Sequence, residues 1–370
     1  MRRSWVEVDL NALAENIRAI RAGLSPRTEI IFVVKADAYG HGAVPVARKA
    51  AACGVKWFAV AFPDEAVEVR RAAPEAELLL LGVAAAEDVP ALLEHRIIPI
   101  VVDEEQGREL AAAAADRGRR LPVHVKVDTG MGRLGIPWTD AYEVICRLAD
   151  QPGIEITGLC SHFAKVEPDD EEQAREQAER FFSISRQVEE ELGRKLFKHM
   201  SSSRAFLYRR EWDLDGIRPG IALYGYGTGE AWVRARTRPI LSWKAEVIQV
   251  KRLPAGHPIG YYGTYRTRHE TEIAVIAAGY ADGYLRMLSN RGAVLIHGRR
   301  CPVVGRVSMN WITVEVGPGS GVRRGDEAVL IGRQGEEEIW ADELATLCRT
   351  IPYEILTEID PRLELRYLGA

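Results

Sequence analysis

Leu78-Leu79-Leu80-Leu81 and Ile97-Ile98-Pro99-Ile100-Val101-Val102 are apolar at every position. A strand with one face in water alternates apolar and polar residues. A strand without alternation is buried on both faces, as parallel sheets covered by helices require. Strand-like runs of this kind are predicted at 29–35, 57–62, 77–82, 97–102, 121–127, 154–160, 196–201 and 217–224. Between them helices are predicted near 42–53, 64–73, 85–95, 104–118, 138–150, 170–192 and 204–210. A further helix precedes them all: Leu10, Leu13, Ile17, Ile20 and Leu24 recur at helical spacing behind Asp9, a suitable cap. Eight βα units in so short a stretch predict a closed (β/α)8 barrel of the TIM type. The structural alternative is a doubly wound open sheet, but no G-x-G-x-x-G follows the first strand.

After about residue 235 the rhythm changes. Val- and Ile-rich runs at 242–252, 271–278, 293–297, 301–307, 311–316 and 326–331 are separated by glycine, proline and charged residues, as in a mainly antiparallel β domain. A helix is predicted at 341–349, and 362–367 alternates like a strand. The expected domains are therefore a barrel at 9–233 and a β-rich domain at 234–370, with 1–8 pairing as a strand with the latter.

At 370 residues there is ample material for two cores, and 47% apolar with 28% charged residues suits a globular protein in water. A net charge of −4, with both signs mixed along the chain, leaves no footprint for nucleic acid or an anionic membrane. No apolar run approaches the roughly 18 residues of a membrane span. Met1 to Glu7 lacks the apolar core of a signal peptide, so a cytoplasmic location is expected. Five cysteines with no C-x-x-C spacing predict free thiols and no metal site. The Glu-rich stretch 167–176 reads as a solvated helix start.

In a parallel barrel the reactive groups stand at the C-terminal ends of the strands. The first run ends in Lys35, followed by Tyr39, Gly40, His41 and Gly42. Burial disfavours an ammonium, and a desolvated lysine is a usable nucleophile and base near neutral pH. The fifth run ends in Lys126, Asp128, Met131 and Arg133, the sixth in Ser161-His162-Phe163, and the seventh in Ser201-Ser202-Ser203. The eighth carries Arg218-Pro219-Gly220-Ile221. Cations, hydroxyls and a glycine turn predict an anionic ligand, and the set points to pyridoxal 5'-phosphate. That cofactor needs a lysine, donors for its phosphate and a group facing its pyridine nitrogen; Arg218 is the candidate for the last. An arginine only donates, so the ring nitrogen would stay unprotonated and the electron sink weaker.

V-V-K-A-D-A-Y-G-H-G, V-D-T-G-M-G-R, S-H-F, R-P-G-I-A-L-Y-G, G-Y-Y-G-T-Y, G-Y-A-D-G-Y, G-R-V-S-M and P-Y-E-I-L-T occur in this order over nearly the whole chain. In this series the chain resembles the bacterial alanine racemases. The resemblance implies a pyridoxal-phosphate barrel with a C-terminal β domain, an amino-acid substrate and a homodimer with shared active sites. It implies that Lys35 bears the cofactor and is the base on one face of the substrate. Tyr262 would be the base on the opposite face, contributed across the dimer interface. Arg218 would face the pyridine nitrogen, with His162 in contact with it. Tyr39, Ser203, Gly220, Ile221 and Tyr353 would hold the phosphate. Arg133 and the Met309 amide would hold the substrate carboxylate. Lys126 matches a lysine often carbamylated in the family.

Two departures qualify the resemblance. Asn310 stands where the family usually has aspartate, and Ser201-Ser202-Ser203 lacks the asparagine that often precedes the phosphate serine, so Ser202 competes with Ser203. Racemisation of L- and D-alanine, feeding cell-wall peptidoglycan, is the expected activity. A serine or broad-specificity racemase is the alternative that Asn310 motivates. A decarboxylase on the same barrel would be expected to place glutamate where Arg218 stands. A non-catalytic cofactor-binding protein would be a barrel alone.

Overall fold

The computed structural model describes residues 3–166, 171–227 and 236–369. The expected boundary at 233/234 and the first part of the Glu-rich stretch 167–176 lie outside the described residues. The chain divides into two compact units. One comprises Leu13–Ala38 and Ala43–Arg238. The other comprises the residues up to Ala12, Tyr39–Gly42 and everything from Pro239 on.

The first unit is a closed parallel barrel. Its strands are Glu29–Val33, Trp57–Val60, Glu77–Val83, Ile97–Val101, Leu121–Asp128, Ile154–Cys160, Phe197–Ser202 and Gly216–Arg218. Each pairs in parallel with its neighbour, Gly216–Ile217 returns to Glu29–Ile30, and Ile100 and Val101 pair with His124 and Val125, so no edge is left. Leu78, Leu79, Leu80, Ile97 and Val101 are inaccessible, which is what their unbroken apolar runs required. Helices Ala43–Ala52, Pro63–Ala72, Val89–Glu94, Glu104–Ala115, Ala141–Ala149 and Glu172–Leu192 cover the strands, most within three residues of their expected bounds.

Three expectations need correction. The first strand ends at Val33, not at residue 35, and Lys35 beyond it is half-buried. The eighth strand stops at Arg218 instead of reaching 224. Pro219 has no N–H, and Gly220 and Ala222 turn theirs to the Ser203 hydroxyl, so no ladder can continue. Finally, 204–210 is not one helix: Ala205–Tyr208 is a single helical turn, extended backbone at Arg209 ends it, and a 3-10 turn at Arg210–Trp212 follows.

The second unit is built on a sheet ordered Arg299–Pro302, Ala293–Ile296, Glu327–Gln334, Leu241–Leu253, Ser4–Asp9 and Glu364–Leu368. All of its pairings are antiparallel except that of Ser4–Asp9 with Glu364–Leu368. The 13-residue strand Leu241–Leu253 also pairs with Thr271–Ile276, which pairs with Ile312–Glu315. Trp243, buried in this sheet, donates from Nε1 to Ser4 Oγ at 2.8 Å. The run expected at 301–307 is strand only to Pro302; Gly305, with φ of 79°, breaks it. Gly42 belongs to this unit because its backbone passes so close to Tyr367 that a Cβ would lie 1.9 Å from the hydroxyl. No helix among the described residues is long and apolar enough to cross a membrane.

Candidate active site

Between Val33 and Gly40 the backbone does what no periodicity announces. Ala36, Asp37, Ala38 and Tyr39 have φ of 52°, 51°, 54° and 54°, so the helical segment Lys35–Gly40 is a left-handed turn made of L-residues. Each such residue costs about 1–2 kcal/mol, and single residues rather than runs are the rule. The turn is held by carboxylates. Glu65 accepts from Ala36 N–H through Oε1 at 2.6 Å, and from Ala61 and Phe62 N–H through Oε2 at 2.7 and 3.1 Å. Asp37 Oδ1 accepts from Ala43 N–H at 2.6 Å. Lys35 leads this strained turn, and its amine has no hydrogen bond or ion pair among the described residues.

Glu65 was not singled out in the sequence. Its capping position behind Pro63 is legible there, but its reach to Ala36 is tertiary. Glu65→Gln turns an NH2 donor toward one of three N–H groups. It is expected to cost about 1–3 kcal/mol of stability and to speed hydrogen exchange at Ala36 N–H. Unchanged exchange at Ala36 would show that the turn does not depend on Glu65.

Arg218 ends the eighth strand at 7% exposure. Nη1 donates to the carbonyl of His199 at 2.9 Å and to its Nδ1 at 2.5 Å. Nη2 donates to the carbonyls of Ser161 and Met200 at 2.6 and 3.0 Å and, at 3.2 Å, to His162 Nδ1. The four terminal N–H bonds are thereby engaged. The Nε–H is the one donor with no acceptor among the described residues. Because Arg218 can only donate, His162 Nδ1 accepts and the ring proton sits on Nε2. Burial, and then the Arg218 charge, hold the His162 pKa down to about 3, so the ring is neutral.

Of the two candidates Ser202 and Ser203, Ser203 is the buried one, and its Oγ accepts from Gly220 N–H at 2.9 Å and Ala222 N–H at 3.3 Å. Ile221 N–H, between them, has no acceptor among the described residues. Lys126 is buried, and burial lowers its pKa; it forms no ion pair among the described residues, Asp128 included. Asp128 instead accepts from the N–H groups of Gly130, Met131 and Gly132 and so shapes the loop that presents Arg133. Arg133 is exposed, with its guanidinium unpaired among the described residues.

In the second unit, Tyr39 stacks at a tilt on Tyr353, with ring centroids 5.6 Å apart. Burial first, and then Tyr353, push the Tyr39 phenol well above its ordinary value, so it is a donor. Tyr262 lies in the turn Tyr261–Gly263 with φ of 62° and is 89% exposed. The Arg306 guanidinium lies 5.9 Å from the centroid of its ring. Met309 and Asn310 are the exposed corners of a turn closed by Ser308 N–H donating to Trp311 O at 3.0 Å.

These groups fit pyridoxal phosphate. The barrel unit alone offers an unpaired amine, a hydroxyl and a free N–H for a phosphate, and one leftover N–H of a residue that keeps its proton, which suits an aromatic nitrogen acceptor. The sequence also matches known proteins. The model of the alanine racemase N-terminal domain matches residues 8–228 and that of the C-terminal domain 240–367. The alanine racemase of Syntrophobacter fumaroxidans is 42% identical over 361 residues, 97% of this chain and 96% of that one. The structure of the alanine racemase from D-cycloserine-producing Streptomyces lavendulae superposes with a TM-score of 0.93 at 34% identity, covering 100% of this chain and 98% of that one. That of Bartonella henselae, with covalently bound pyridoxal phosphate, does so at 0.89 and 28%, over 100% of both chains. By sequence over both domains and by fold over its whole length, this chain belongs to the alanine racemase family.

Proposed function

We propose that this protein interconverts L- and D-alanine with pyridoxal 5'-phosphate, taking the α-proton from one face of the substrate and returning it to the other. Arg218 carries the reading. It is a buried, donor-only residue with a single N–H left over, and it occupies the place where the rival decarboxylase class is expected to carry glutamate.

When bound, the cofactor supplies an electron sink that acidifies the substrate's α C–H. The residues do the rest. Lys35 Nζ would hold the cofactor, and the same amine would carry the proton on one face of the substrate. Tyr262 Oη holds it on the other. Arg218 donates from Nε without giving up its proton, which keeps the sink weak and leaves reprotonation, rather than side reactions, as the outcome. Ser203, Gly220, Ile221, Tyr39 and Tyr353 hold the phosphate, and neutral His162 lies beside Arg218. Arg133 and the Met309 N–H take the carboxylate. A carbamate on Lys126 would convert a cation near Arg133 into an anionic partner for it. Tyr262, 89% exposed, would meet Lys35 of a partner subunit in a homodimer. The D-alanine formed would enter peptidoglycan.

Asn310, exposed beside Met309, favours one second reading, a racemase of broader or serine preference. Purified enzyme with L-alanine or L-serine, and chiral separation of the product, tests both. D-alanine approaching an equal mixture from either enantiomer is expected. Faster conversion of serine would shift the assignment to the broader enzyme. Loss of carbon dioxide without a D-enantiomer would overturn both readings in favour of decarboxylation.

A further inference from the structure

The bond between His199 and Arg218 has a second member behind it. His124, on the fifth barrel strand, places Nδ1 2.9 Å from His199 Nε2. Both histidines are fully buried, at 1% and 0% exposure. Arg218 has no acceptor, so His199 Nδ1 must accept from it. The proton of neutral His199 is then on Nε2 and is donated to His124 Nδ1. The proton of His124 is left on its own Nε2, which is buried and without a partner. That nitrogen faces Gly158, where a Cβ would stand 2.6 Å away. The direction of the whole series, Arg218 to His199 to His124, is therefore set from the arginine end.

We propose that His124 is a positioning residue for Arg218: its Nδ1 lone pair locks His199 in the Nε2–H tautomer, which keeps a lone pair, not an N–H, aimed at the guanidinium. A buried unpaired N–H is a cost that an apolar residue at 124 would avoid. What the imidazole provides in exchange is an acceptor no aliphatic side chain could offer. Without it, the Nε2–H of His199 would be buried with no acceptor, and the bond to Arg218 alone would favour that tautomer against this cost. The other tautomer points N–H at N–H, and Arg218 must turn, taking its leftover Nε–H with it. The pair lies in a layer of aromatic rings, His124 to His199 at 5.1 Å and His124 to Phe197 at 5.9 Å between centroids, so neither ring can swing aside. This proposal rests on the reading of Arg218 as the group facing the pyridine nitrogen, but the tautomer can be observed independently of turnover.

The test uses full-length enzyme as purified, with ¹⁵N-labelled histidine. In wild type, His199 is expected to show one protonated nitrogen, Nε2, and one acceptor nitrogen, Nδ1. In His124→Leu the two signals are expected to move toward each other, with kcat falling roughly tenfold while KM changes less. In His124→Asn, whose Oδ1 stands near the position of Nδ1 and accepts likewise, both the signals and most of the rate should return. A proton on His199 Nδ1 in wild type overturns the proposal. So do a leucine variant with unchanged signals and rate, and an asparagine variant no better than leucine. If the leucine variant does not fold, the wild-type tautomer and the asparagine variant still decide. Correct tautomers in a protein that racemises nothing would count against the proposed activity and not against His124.

Discussion

Lys35→Ala is expected to lower the rate of racemisation by about 10⁴-fold or more, on the order of 6 kcal/mol of transition-state stabilisation. Two losses combine in one side chain. On the proposed roles, the amine that would hold the cofactor goes, and with it the base for one face of the substrate. The local structure adds a third reason for the size of the effect: the backbone after Lys35 is a left-handed turn of four L-residues, clamped through Ala36 by Glu65. That turn fixes where the side chain of residue 35 leaves the backbone, and alanine there offers no amine. The measurement is borohydride reduction of loaded enzyme followed by peptide mass analysis. The cofactor mass should appear on the Lys35 peptide in wild type and on no peptide in the variant. A variant that still traps cofactor and still racemises would remove Lys35 from both roles.

Tyr262→Phe is expected to have the second-largest effect, and an asymmetric one. If Tyr262 is the base on one face, as proposed, deleting its hydroxyl should slow proton abstraction from L-alanine by roughly 10²–10⁴ while abstraction from D-alanine falls far less. Exchange of the α-proton with deuterium from solvent, followed separately for each enantiomer, reads this directly. Equal losses in both directions would contradict two bases on two faces. The exposure of Tyr262 leads to a sharper test of where that face is completed. Lys35→Ala and Tyr262→Phe enzymes, each nearly inactive, are unfolded and refolded together. In a homodimer with shared sites, mixed dimers carry one intact site, and about a quarter of wild-type activity should return. No recovery would mean that each chain completes its own site.

Much of the architecture was written in local patterns. Runs such as Leu78–Leu81 can be satisfied only by burial on both faces, and eight of them alternating with helices leave few folds besides a closed barrel. The short Val- and Ile-rich runs after residue 235 likewise identified an antiparallel sheet. One misjudged bound shows why: at 219–224 the residues look like strand, yet the N–H groups of Gly220 and Ala222 go to Ser203, a partner 17 residues away from Gly220. Composition cannot show where a hydrogen bond goes.

The candidate site divides along the same line. Lys35, Arg133, His162, Arg218 and Tyr262 could be chosen by residue type at strand ends and by motif, because chemistry is carried by side chains and side chains are what a sequence records. Glu65 and His124 could not. A carboxylate in a helix cap and a histidine in a strand look ordinary until the barrel closes and brings Glu65 to Ala36 and His124 to His199. The same holds for the handedness of the turn after Lys35. Ala-Asp-Ala-Tyr favours no left-handed backbone, and only long-range acceptors make that conformation worth its strain. The sequence alone therefore determined which functional groups this protein has and the barrel that carries Lys35, Arg133, His162 and Arg218. The tertiary structure decided how Arg218 and the turn after Lys35 are held, since that depends on hydrogen bonds between residues far apart in the chain.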